Sequence, residues 1–260
     1  MVTHLTERIA LVRANNPSPM TLEGTNTYVI GERAPVVLDP GPDDTEHLER
    51  VLDAAGAVSL VLLTHTHPDH AAGAERFASM ARAPLAAHAG GTGTCATAAP
   101  VSDGQRIDVD GDELIALHTP GHASDHLCFG LGDVLFTGDH VLGRGTSVIA
   151  HPDGNMAAYM ASLRRARDLG ATTLYPGHGP VVENAREVLD YYIAHRIERE
   201  QQVIEAIGSG AGTVQDMVER IYADVDPALH PVAALSVRAH LDKLRDDATA
   251  LEEDQRWRLV

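Results

Sequence analysis

The stretch Thr64-His65-Thr66-His67-Pro68-Asp69-His70 most narrows what this chain can fold into, because its histidines and aspartate come directly behind the apolar run Val58 to Leu63. Side chains of this kind bind metal ions, but a single turn cannot surround an ion, so other segments must bring further donors to the same point. The ends of adjacent strands in a sheet are a rigid place to hold them. The same order of apolar strand, glycine turn and ligand-type residue recurs along the chain. Leu114 to His118 leads to Gly121-His122, Val134 to Thr137 leads to Gly138-Asp139, and Thr172 to Tyr175 leads to Gly177-His178. Five histidines and two aspartates thus arrive at four strand ends. A tetrahedral zinc takes three or four protein ligands, so this donor set overfills one site. It suits two sites that share a carboxylate and leave room for a bridging water.

Between these strand ends the pattern alternates strand and helix, which predicts an α/β fold for roughly the first 180 residues. Asn26 to Ile30 and Val36 to Leu38 read as a hairpin-like opening around Gly31 and Pro35. Glu46 to Ala55 has helical spacing at Leu48, Val51, Leu52 and Ala55 and stops at Gly56. Gly73 to Arg82 is helical, and Asn155 is an N-cap for a helix running to Leu169. The character changes near residue 185. Ala185 to Ile207 reads as a long polar helix, and Gly208 to Gly212 is a flexible break. Thr213-x-x-Asp216 opens a second helix as a capping box. A third begins near Asp226-Pro227, with Ala234, Val237, Leu241 and Leu244 on one face, before a short ribbon around Trp257. Three helices and a ribbon suggest a winged-helix-like appendage, with a plain helical cap as the alternative.

Charge and cysteine content bound the function. With 20 Lys+Arg against 37 Asp+Glu the net charge is −17, which repels a polyanion at long range and argues against general nucleic-acid coating. The N-terminal segment scatters charges among its apolar residues, unlike a signal peptide, and no apolar run has transmembrane length. Cys95 and Cys128 form no CxxC pair, so they are expected as small buried thiols rather than a disulfide or a thiolate zinc site. A reducing, cytoplasmic location and no membrane partner are the corresponding expectations.

His65, His67, Asp69, His70, His122, Asp139 and His178 resemble the complete ligand set of the metallo-β-lactamase superfamily. The resemblance implies an αββα sandwich with the metals at one edge between two sheets. It also implies that His65, His67 and His122 hold one metal, that Asp69, His70 and His178 hold the other, and that Asp139 bridges. Class B1 β-lactamases carry a cysteine where this chain has Asp139, so the chain is more similar to glyoxalase II, lactonases and RNA-processing nucleases. A closer resemblance, to the lactamase-β-like endoribonuclease family, runs along nearly the whole chain. It is carried by Asn16 to Tyr28, by Leu142 to Ser147, by Tyr175 to Pro180, and by Ala194-His195-Arg196 with Glu200-Gln201-Gln202. That family also ends in a winged-helix-like region, which divides this chain into a catalytic domain at 1–190 and a C-terminal region at 191–260. Two departures stand out. Arg144 occupies a position where an acidic residue is expected, and the residues from 195 onward hold 8 basic and 13 acidic side chains.

The expected activity is metal-dependent hydrolysis at two zinc ions, or at iron or manganese, which the same donors accept. Paired zincs lower the pKa of a bridging water so that hydroxide is present near neutral pH, which serves phosphodiesters and carbonyl esters alike. Asp69 and Asp139 are the expected catalytic carboxylates, with Asp69 orienting the nucleophile or passing its proton to the leaving group. Single-stranded RNA is the substrate the resemblance implies. A small thioester or ester of the glyoxalase II type suits the acidic surface better. A third reading is a non-catalytic, metal-containing regulator that binds a partner through its C-terminal region. The third helix sets Arg238, Lys243 and Arg245 against Asp242, Asp246 and Asp247, which argues against DNA; closing over the site or forming a homodimer suits it as well. Arg144, Thr146 and Ser147 are candidates for a substrate phosphate or carboxylate, or else form a plain structured loop. The family match adds His195 and Arg196 along the cleft. Asp39, in Asp39-Pro40-Gly41, either hydrogen-bonds a ligating histidine from behind or simply makes a turn. His118, His126 and His140 are assigned structural or solvent-facing roles.

Overall fold

Alternate residues of each central strand face opposite ways, and this chain is apolar on both sides of two sheets. On the strand Asn26–Ile30, Tyr28 and Ile30 enter a core between the sheets, while Val29 enters a second core on the outer face. On Val134–Gly138, Phe136 enters the shared core and Leu135 the core beneath the opposite helices. Sheets apolar on both faces must be covered on both, which produces four layers.

The computed structural model describes residues 2–90 and 98–260. The first sheet holds seven strands in chain order: β1 (Val2–His4), β2 (Ile9–Arg13), β3 (Asn26–Ile30), β4 (Val36–Leu38), β5 (Leu60–Leu62), β6 (Leu85–His88) and β7 (Ala99–Val101). β1 to β4 pair antiparallel and β4 to β7 parallel. Helix α1 (Thr45–Ala55) makes the crossover from β4 to β5 and helices α2 (Pro68–Ala71) and α3 (Ala74–Ala81) that from β5 to β6, and Leu48, Val51 and Phe77 cover the outer face. The second sheet contains β8 (Arg106–Val109), β9 (Asp112–His118), β10 (Leu127–Leu131), β11 (Val134–Gly138) and β12 (Thr173–Pro176), ordered β12-β11-β10-β9-β8. Its outer face lies under α4 (Met156–Asp168) and the first half of α5 (Ala185–Gly208), through Tyr159, Leu163, Leu189 and Tyr192. The αββα sandwich expected from the resemblance is the observed architecture.

The C-terminal region follows as α6 (Val214–Ile221), a 3-10 turn (Pro227–Leu229), α7 (His230–Asp246) and the hairpin β13 (Ala250–Glu253) and β14 (Arg256–Leu259). Three helices with a two-stranded wing match the winged-helix expectation, and the Thr213–Asp216 capping box is formed from both sides. α5 belongs to both regions. Its first half packs on the second sheet, while Val203, Ala206 and Ile207 join Met217, Val237, Leu244 and Trp257 in a separate core.

Several element ends shift by one or two residues, and two boundaries differ for a reason visible in the structure. The run Val58 to Leu63 pairs as a strand only over Leu60–Leu62, because its parallel neighbour β4 begins at Val36, after Pro35, and ends where Asp39, at φ 52°, turns the chain away. The third helix starts at His230 rather than near Asp226-Pro227. A second proline, Pro231, suits a first helical turn and would clash with the carbonyl four residues back inside a continuous helix, so Asp226 caps only the 3-10 turn. Cys128 is buried, as expected, and Cys95 lies outside the described residues. Among the described residues no helix is long and apolar enough to cross a membrane.

Candidate metal centre

The strand ends converge. His65, His67, His122 and Asp139 form one cluster and Asp69, His70, Asp139 and His178 another, with the donor atoms of each within 4.8 Å of one another. His65 and His67 leave the end of β5, and Asp69 and His70 stand on the one-turn helix α2, which Pro68 starts. His122 follows β9, Asp139 follows β11 and His178 follows β12. Asp139 is common to both clusters, 3.6 Å by Oδ2 from His122 Nε2 and 3.3 Å by Oδ1 from His178 Nε2.

The hydrogen bonds behind the rings fix which nitrogens face inward. His122 Nδ1 donates to the Val148 carbonyl at 2.8 Å, and His70 Nδ1 donates to Asp39 Oδ2 at 2.9 Å. Thr64 Oγ1 donates to Asp39 Oδ2, so it accepts from His65 Nδ1 at 3.0 Å. His178 Nδ1 reaches the Gly24 carbonyl at 3.4 Å. The Nε2 atoms of these four rings therefore face the centre. His65 Nε2 and His122 Nε2 each lie 3.0 Å from His67 Nδ1; a proton on that nitrogen can serve one of them well, whereas a cation among the three serves all. Asp139 Oδ1 is buried with no hydrogen-bond partner. Gly177 leaves the space beside it open: a Cβ there would stand 2.7 Å from His70 Cε1 and 2.8 Å from Asp139 Oδ1. The residues present fit a binuclear metal site.

Electrostatics agree. Burial lowers the pKa of His70, yet the Asp139, Asp39 and Asp69 carboxylates outweigh it and hold His70 well above the ordinary range. Burial likewise opposes protonation of His178, but Asp139 and Asp69 carry it up to about 9. For Asp139, burial raises the pKa, and His178 and His70 overcome this to hold it well below the usual carboxylate range. The carboxylates of the second cluster call for positive charge. In the first cluster burial, then His70, pushes His65 well below the usual range, which keeps its ring a neutral donor.

Asp39 does both things the sequence allowed. Its carboxylate accepts from Thr64 N at 2.7 Å, from Thr64 Oγ1 and from His70 Nδ1, while its positive φ makes the turn. Thr146, Ser147, His195 and Arg196 gather along one cavity of about 220 Å³ beside the C-terminal region. Arg144 is set apart, exposed and paired with Glu23 at 2.7 Å.

Further supports stand behind the donors; His126 is among the histidines expected to be structural, while Asp125, Asn26 and Tyr28 have no individual role in the sequence reading. His126 Nε2 accepts from the Asp139 N–H at 3.1 Å and its Nδ1 donates to Thr119 Oγ1, so it must be neutral. Burial, then His140 and His122, keeps it well below the usual range. Asp125 accepts from Thr66 N and Oγ1, which pins the turn between His65 and His67. Asn26 Nδ2 donates to the Pro176 and Gly179 carbonyls, and Tyr28 Oη to Pro176, which clamps the His178 loop. His126 does have the structural role assigned to it, and His118 is stacked on His88 with ring centroids 4.1 Å apart. His140 is buried with its ring edge-on to Tyr159.

Comparison with known proteins agrees with this geometry. Residues 20–178 match the family described as the metallo-beta-lactamase superfamily, and residues 213–257 match the beta-lactamase associated winged helix domain. A Drosophila melanogaster protein named "Beta-lactamase-like protein 2 homolog" is 32% identical over 95% of this chain and 90% of its own length. A Cryptosporiopsis protein named "Atrochrysone carboxyl ACP thioesterase" is 32% identical over 86% of this chain and 74% of its own. A metallo-beta-lactamase family protein of Thermus thermophilus superposes with a TM-score of 0.83 over 99% of this chain and 100% of that one, at 21% identity, and so shares the fold. With two such donor clusters at the edge of an αββα sandwich, the chain belongs to the metallo-β-lactamase superfamily of metal-dependent hydrolases.

Proposed function

We propose that the chain hydrolyses a small thioester or ester at a centre of two zinc ions. The observation that carries this choice over RNA is the pairing of the cations at Arg144 and along α7. Sites for single strands run a positive groove past aromatic platforms. Here Arg144 at the rim is bound to Glu23, and on α7 Arg238 is paired with Asp242 and Glu252, Lys243 with Glu200 and Asp247, and Arg245 with Asp242. A small acyl substrate needs no extended cationic track, and a net charge of −17 does not repel it as it does a polyanion. The thioesterase name of the Cryptosporiopsis relative points the same way.

His65, His67, His122 and Asp139 would hold one ion, and Asp69, His70, Asp139 and His178 the other. When bound, the two ions supply Lewis acidity and an acidified water near neutral pH. The side chain of Asp69 is 28% exposed, more open than those of His70, Asp139 and His178 in the same cluster, with Oδ2 3.1 Å from His178 Nε2. Its carboxylate orients the attacking water and carries a proton to the departing sulfur or oxygen, as an oxygen–carbon bond forms and the carbon–sulfur or carbon–oxygen bond breaks. Asp39 and His126 keep His70 and Asp139 in place throughout.

Zinc-reconstituted protein should release thiol from a short acyl thioester, and an Asp139→Ala control should not. Cleavage of an end-labelled unstructured RNA without thiol release would instead favour the phosphodiesterase reading. Inertness on both substrates with two metals bound would favour a non-catalytic regulator. Asp69→Asn should lose turnover while keeping part of its metal; unchanged turnover would end its assigned role.

A further inference from the structure

Resting on the thioester or ester reading above, we propose that the cavity between Ser147–Val148 and the C-terminal region is the acyl subsite, and that it selects a short acyl chain ending in a carboxylate, bound by Arg196. Arg196, on α5, is 2% exposed. One of its Nη atoms donates to the Ser147 carbonyl, its guanidinium lies 5.4 Å from the centre of the Tyr159 ring, and its Nε has no partner. Among the described residues no carboxylate lies within ion-pair distance of it. A guanidinium stays charged in a protein, and burying it unpaired is unfavourable, so an anion brought by a ligand would complete the site. His195 beside it also has an unpartnered Nδ1, and burial, then Arg196 and Arg199, hold its pKa at about 4. It is therefore a neutral hydrogen-bonding group, and the fixed charge is that of Arg196.

Apart from Thr146 and Ser236 the remaining wall is apolar. Val225 and Val232 line it with Tyr222, and Leu229, 44% exposed, is also on it. At about 220 Å³ the cavity falls below the roughly 300–1,000 Å³ of pockets for drug-sized ligands, so it suits a short chain. Its wall also stands directly behind the metal centre. The Val148 carbonyl on its wall accepts from His122, and Ser147 Oγ donates to the carbonyl of His140, next to Asp139. The C-terminal region thus supplies the surface that reads the acyl chain.

The test compares adipoyl and hexanoyl thioesters of one thiol with the zinc-loaded enzyme. A charge-assisted hydrogen bond predicts roughly a 10–100-fold higher kcat/KM for adipoyl, and Arg196→Gln should bring the ratio near one with two metals retained. Ser236→Trp, which fills the cavity from α7, should also remove the preference, so a misfolded Arg196→Gln does not leave the question open. A second arm does not depend on turnover. Hexanoate, but not hexan-1-ol, should shift the backbone amides of Val232 and Ala233 in the 15N spectrum of the zinc-loaded protein, and Arg196→Gln should weaken that response. Equal kcat/KM for both thioesters, or amides that respond alike to both ligands or to neither, overturns the subsite. Amide shifts without turnover of any thioester would support the subsite and overturn only the hydrolase reading.

Discussion

At the metal rim, polar side chains are held one by one; in the C-terminal region, apolar side chains are held together. His65, His70, His122 and His178 each have a specific partner behind the ring, respectively Thr64, Asp39, Val148 and Gly24. The C-terminal core instead shares its burial among Val203, Met217, Val237, Leu244 and Trp257, with ion pairs such as Arg238–Glu252 at its surface. In the first region each residue has a separate task, so loss of one should show in chemistry. In the second the tasks are pooled, and loss of one should show in stability.

The sharpest test of this contrast is Asp139→Ala, which strips a donor from both clusters. Turnover and metal content should fall by more than the roughly 10–100-fold typical of losing an outer partner, while Trp257 fluorescence stays native. Two ions retained at full affinity would break the assignment of Asp139 to both sites. Trp257→Ala comes next: it should cost about 3–5 kcal/mol of stability by calorimetry and leave two metals bound. A parallel loss of metal would show that α5 couples the regions too tightly for them to be separated. Asp39→Ala should weaken metal affinity roughly 10–100-fold in a chelator competition, and an unchanged affinity would reduce Asp39 to a turn residue.

A smaller, pH-dependent effect is expected at His47, which is buried under the Asp39 turn with Nε2 3.0 Å from Thr27 Oγ1. Burial, then Arg50, lowers its pKa to about 4 from the ordinary 6.5, so the unfolded chain takes up the proton first. Its contribution is complete above 6.5 and drains away as pH falls towards 4. The urea midpoint of the wild type should decline over that window, and His47→Gln should flatten the decline; equal slopes would remove His47 from the account. Thr213→Ala should be the mildest, costing about 1 kcal/mol through the lost cap of α6 without any change in metal content.

Legibility in the sequence followed the same divide. His65, His67, Asp69, His70, His122, Asp139 and His178 could be read because donor chemistry restricts residue type and each donor follows a strand and a turn. The capping box at Thr213 and the helical faces of the C-terminal region were legible from local spacing. β1, β6, β7 and β8, which are short or only partly apolar, were not legible, nor was β2, whose apolar Ile9 to Val12 stands in a segment of scattered charges. The start of α7 was misplaced because the pattern near Asp226-Pro227 resembles a helix cap, and Pro231 shifted the start to His230.

By itself, then, the sequence determined the donor set, the alternation of strand and helix and the winged-helix-like tail, since period and residue chemistry are written within a few positions of one another, while the αββα layering came from the family resemblance. Tertiary structure alone decided which side chains support the donors and what surface faces a substrate. Asp125 holds Thr66 from 59 positions away, Asn26 reaches Pro176 across 150, and Arg196 meets Ser147 across 49. Such contacts have no characteristic spacing along the chain. They exist only once two sheets and a shared helix bring distant backbone together, because hydrogen bonds are selected by distance in space rather than by order in sequence.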